Sequence, residues 1–117
     1  MPDYQKLAKE LKKNTEVMEA MLKACGLQIL SFSFQPFGDD DADCILIMEL
    51  STDGKKKFKG AELKVNLYDE DGEIFVNKST TIYSWSFIGY DTEKIALCYG
   101  KKALLKAKRA RIFATPE

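Results

Sequence analysis

The sequence predicts a mainly β domain, an antiparallel β-sandwich of about seven strands preceded by one N-terminal α-helix. Three observations predict it. Apolar residues recur at three- and four-residue steps only between Asp3 and Cys25. From Leu27 onward the hydrophobic period changes to two. Turn formers then interrupt the chain about every 8–12 residues, the spacing of a sandwich.

The chain has 117 residues and reads as a single domain, with residues 1–26 as helix and 27–115 as sandwich. In the helix, Tyr4, Leu7, Ala8, Leu11, Val17, Met18, Met21, Leu22 and Cys25 form one apolar stripe. Asp3 suits the N-cap and Gly26 the residue past the C-terminus. Asn14 and Thr15 weaken the middle and offer a place to split or kink. Leu27 and Ile29 share one strand phase and Phe32 and Phe34 the other, so a bulge is expected near Leu30 and Ser31. Residues 44–50 are apolar on both faces and read as a central strand. Residues 51–54 form a turn, and Lys55 to Lys57 keep it wet.

The next segment carries the clearest hairpin. Leu63, Val65 and Leu67 alternate with Glu62, Lys64 and Asn66, and residues 69–72 supply an acidic turn ending in Gly72. Residues 81–88 alternate again, which puts Tyr83, Trp85 and Phe87 on one face; such a stripe is expected in the core, and facing outward it would be a binding surface. Gly89 to Asp91 should turn, and Lys94 to Tyr99 should form a strand. The last strand is expected from about Arg109 to Ala114, with a helical turn before it where Ala103, Leu104 and Leu105 raise helix propensity.

The run Leu63 to Gly72, with Leu67, Tyr68 and Asp69 at its centre, resembles the strand-and-turn signature of FxLYD-type domains. These are small immunoglobulin-like β-sandwiches of bacteria and archaea. The resemblance implies an immunoglobulin-like fold and no particular activity, because the matching residues are structural.

Composition excludes several chemistries. The chain has no histidine, so Ser-His and Cys-His nucleophile activation and imidazole metal sites are excluded. Cys25, Cys44 and Cys98 form no C-x-x-C pair, and no phosphate-binding glycine loop is present. A non-enzymatic module with no cofactor is therefore expected, with a carboxylate-based hydrolase or transferase as the enzymatic alternative. Asp39, Asp41 and Asp43 match the start of a calcium loop, but Cys44 replaces its glycine and Leu50 its bidentate glutamate. They read as a solvated loop, and no metal is expected.

Eighteen basic and eighteen acidic residues cancel, which removes both a global pull toward polyanions and repulsion between copies. A homodimer or another protein is the expected partner. Tyr4, Leu7, Leu11 and Met18 are the candidate self-association residues on the helix stripe. Lys101, Lys102, Lys106, Lys108, Arg109 and Arg111 form a basic segment that is the alternative site, for anions or nucleic acid. Only Tyr99 and Phe113 flank it as aromatics, so nucleic acid is not the favoured partner. The odd cysteine count, the charged N-terminus and the absence of a long apolar run predict a reduced, cytoplasmic protein with no membrane span.

Overall fold

A computed structural model describes residues 2–38, 41–52, 58–97 and 102–117. The elements run α1 (Tyr4–Lys13), β1 (Thr15–Val17), α2 (Glu19–Ala24), β2 (Leu27–Phe37), β3 (Asp43–Thr52), β4 (Ala61–Tyr68), β5 (Ile74–Ile82), β6 (Tyr90–Ala96), α3 (Ala103–Lys106) and β7 (Arg109–Pro116). The protein is mainly β. Its strands form two sheets, one ordered β1-β7-β4-β5 and one ordered β2-β3-β6. One core lies between them. Leu46, Met48 and Leu50 of β3 face Leu63, Val65 and Leu67 of β4 and Ile112 of β7, all at zero exposure. The two sheets are connected by crossovers, and their order differs from the ABED and CFG arrangement of constant-type immunoglobulin domains.

The expected N-terminal helix is two helices with a strand between them. Asn14 ends α1, and the Thr15 hydroxyl bonds back to the Leu11 carbonyl at 2.7 Å. Thr15 and Val17 are β-branched and take the strand conformation. They find a partner in β7, and Met18 N–H continues the contact by donating to Ile112 O at 2.9 Å. The β1–β7 pair is parallel, which corrects the expectation of a wholly antiparallel sheet. Nearly the whole chain separates these strands, so no tight turn forces them antiparallel. Asp3 caps α1 through Lys6 N–H at 3.1 Å, and Gly26 follows α2 with φ +81°.

The bulge in β2 falls between Ile29 and Ser31, and Leu30 is left half exposed. β3 is the central strand of its sheet. The β4–β5 hairpin has its inner residues where the alternation places them. Asp69 organises the turn: its carboxylate accepts from Asp71 N–H at 2.9 Å and Glu73 N–H at 3.0 Å. The final strand is preceded by the short helix α3.

One strand expectation fails. Residues 83–89 form a loop although their alternation continues that of β5. The last β4–β5 pair is Ala61 with Ile82, and Gly60 then turns away at φ +104°. Beyond Ile82 the strand has no partner in β4. Ser86 and Phe87 N–H both donate to Tyr83 O at 3.2 Å and close a turn instead. Phe87 still reaches the core and packs on Phe58 with ring centroids 5.0 Å apart. Tyr83 and Trp85 do not; they point to solvent. The following strand begins at Tyr90, earlier than expected, because β3 offers it pairing from Ser51 onward.

Candidate binding surfaces

The loop between β5 and β6 carries an aromatic tip. Trp85 is 81% exposed and Ile88 94%, with Tyr83 and Tyr90 about half exposed. The Tyr83 and Trp85 rings stack at 5.4 Å and 23°. Large apolar side chains at such exposure are the composition of interface anchors. Tyr90 is fixed at its base: its hydroxyl donates to Glu49 Oε2 at 2.6 Å, and Ser31 donates to the other oxygen of the same carboxylate. Those two hydrogen bonds hold the Glu49 carboxyl below the usual glutamate range, and the carboxylate in turn raises the Tyr90 phenol.

A second surface, of mixed polarity, lies on the other edge of the same sheet. A cleft of about 410 Å³ opens between α2 and β2, walled by Val17, Leu22, Leu27 and Ile29, with Glu19, Lys23 and Gln28 also lining it. Gln28, Ser51 and Tyr90 form one row across β2, β3 and β6, and Thr52 N–H donates to Gly89 O at 3.1 Å. The tip and the cleft therefore stand at the same end of the three-stranded sheet. The strands that carry them are two strand spacings, roughly 10 Å, apart.

The basic segment does not form one patch. Lys101 lies outside the described residues. Lys102 gives its backbone N–H to Asp43 Oδ1 at 2.9 Å, and Lys106 sits over the Phe75 ring at 6.0 Å. Lys108, Arg109 and Arg111 gather elsewhere, on the outer side of the four-stranded sheet. The two-residue period of β7 puts Arg109 and Arg111 on one face, opposite Tyr68 and Asn66 of β4 respectively. The Tyr68 ring meets both guanidinium groups, at 4.5 Å for Arg109 and 5.5 Å for Arg111. A polar row crosses all four strands here: Glu16, Arg111, Asn66, Asn77. Asn77 donates to Asn66 at 2.6 Å, and Glu16 Oε1 lies 2.9 Å from Arg111 Nε. Asn14, Thr15 and Glu16 close a small cleft of about 230 Å³ over Tyr68, Arg109 and Arg111.

The helix residues chosen as self-association candidates turn inward. Leu11 is 3% exposed in the protein's own core, and Tyr4, Leu7 and Met18 are half-buried, Tyr4 and Leu7 against that core. α1 docks on β2, α3 and β7. The spacing of Tyr83, Trp85 and Phe87 fits a packed strand as well as an exposed stripe; two serines beside Trp85 and the approach to Gly89 are the features that favour a loop. Of the acidic loop, Asp39 lies outside the described residues, Asp41 is exposed and Asp43 is buried against Lys102. No group of three acidic or cysteine side chains among the described residues could hold a metal ion. Cys44 is buried, Cys25 half-buried, and Cys98 outside the described residues, as are Tyr99 and the lysines at 55–57. No helix among the described residues is long and apolar enough to cross a membrane. Comparison with known proteins gives no match: neither a protein family, a characterised protein nor a solved structure is similar to this chain.

Proposed function

We propose that this is a non-enzymatic module that acts by protein–protein contact, and that its partner is a second copy of itself. The observation that carries the reading is the tip, where Trp85 and Ile88 stand almost fully in water. The cleft beside α2 supplies a candidate receptor on the same chain, of mixed polar and apolar lining and large enough at about 410 Å³ to take an indole ring with its N–H. Tip and cleft flank one end of one sheet, so a two-fold axis at that end lets each copy insert its tip into the other's cleft. Such a contact is self-complementary and closed. Zero net charge adds no repulsion between copies. The lack of histidine supports the non-enzymatic reading, as does the placement of the two perturbed glutamates. Glu49 pairs with Thr92 on the outer face and Glu93 with Met48 on the inner, so they share no pocket. Leu67 and Asp69, two of the residues that carry the FxLYD-type resemblance, serve packing and the turn.

Light scattering over a micromolar concentration series tests this. The expected mass rises from 13.3 kDa to twice that value. Trp85 is the sole tryptophan, so its emission should shift to the blue over the same range. Trp85→Ala at the tip and Ile29→Glu in the cleft should each hold the folded protein at the monomer mass. A constant 13.3 kDa in the unmodified protein overturns the dimer, and co-sedimentation of that monomer with lipid vesicles would assign the tip to a membrane surface.

A further inference from the structure

We propose that the small cleft over Tyr68 binds a single phosphate group, carried on a small molecule or a side chain, with Arg109 and Arg111 as its cationic donors. Arg111 Nε is the one buried side-chain polar atom among the described residues that makes no hydrogen bond. Glu16 lies 2.9 Å from it and balances its charge, but the approach is not along the N–H direction. A buried N–H left in that condition marks a place for a further acceptor. Arg109 is exposed and makes no ion pair among the described residues; its guanidinium lies over the face of Tyr68. The tyrosine ring thus holds two guanidinium groups side by side over one cleft. A planar fork of donors suits phosphate oxygens, and two forks suit a dianion.

Size and surroundings narrow the ligand. The volume of about 230 Å³ falls below that of pockets that enclose whole drug-sized molecules, so it takes one group and not a nucleotide. Tyr68 is 6% exposed, which leaves no ring face on which a base could stack. Lys108 and Arg109 share the adjoining groove with Asp69 and Glu70, which repel an extended polyanion. A nucleic acid strand would meet those carboxylates; an isolated phosphate would not. Glu16 acts as an internal competitor that an incoming phosphate must displace.

The test uses the intact protein and inorganic phosphate, followed by amide chemical shifts at constant ionic strength. Saturable shifts are expected at Asn14 to Val17, Tyr68 and Lys108 to Ile112, with acetate and chloride producing none. Arg109→Gln, an exposed change that leaves the fold intact, should weaken binding at least tenfold. Glu16→Gln should tighten it several-fold, an effect in the opposite direction to any loss of structure. Absence of saturable shifts, equal binding of acetate, or equal affinity in the wild type and Arg109→Gln would each overturn the assignment. So would tighter binding of a single-stranded oligonucleotide than of phosphate at the same amides.

Discussion

Val65 stands at zero exposure on the inner face of β4, opposite Ile112 of β7. An aspartate there would bury a charge with no partner, so Val65→Asp should lower unfolding free energy by about 3 kcal/mol or more. Chemical denaturation measures this, and a loss below about 1 kcal/mol would show that the face is not sealed. Glu93 is the reverse case, a native charge on the inner side of an edge strand. Burial and the neighbouring Asp91 carboxylate push its carboxyl above the usual glutamate range. The folded state therefore holds the proton to higher pH than the unfolded chain does. The fold loses stability as pH rises through that raised range, because ionisation is harder in the folded state. Glu93→Gln should raise the melting temperature near neutral pH, and the gain should vanish below about pH 4, where both states are protonated. Inward charges of this kind also keep the β6 edge from pairing with another strand.

At the scale of elements, the β4–β5 hairpin was legible because its alternation and its turn chemistry agree. Gly72 has φ +80°, and a Cβ added there would meet nothing within 4 Å. Gly72→Ala should therefore cost only the left-handed backbone strain, about 1 kcal/mol, and Gly72→Asn less. Thermal melts of the two variants check the order. The N-terminal segment was legible in part. Its apolar stripe is real, and Asn14 and Thr15 mark the break, but helical periodicity says nothing of a distant strand waiting to pair. The segment 83–89 misled for the same reason. Its alternation is that of a strand, yet a strand exists only where a neighbour offers hydrogen bonds, and β4 ends at Ala61. The candidate surfaces were correspondingly hard to read. Arg109 and Arg111 were visible as basic residues, whereas Tyr68 and Glu16 join them only through register across three strands.

The whole molecule measures 47 × 26 × 20 Å, with the aromatic tip at one end of the three-stranded sheet and the arginine cleft on the outside of the other sheet. The tip itself lies apart from the arginine cleft, so the phosphate titration should give the same affinity in Trp85→Ala as in the unmodified protein. The position of β7 has a further consequence, in the order in which the molecule assembles. It is the last strand in sequence, yet it lies inside its sheet, between β1 and β4. Thr15 must find Ala110 across almost the full chain, which is a costly closure and a slow one. Until then β1 has no partner, and β4 shows an open edge with Leu63, Val65 and Leu67 beside it. The four-stranded sheet is therefore the last part to close, and a chain halted before β7 carries an aggregation-prone strand that the finished protein never displays.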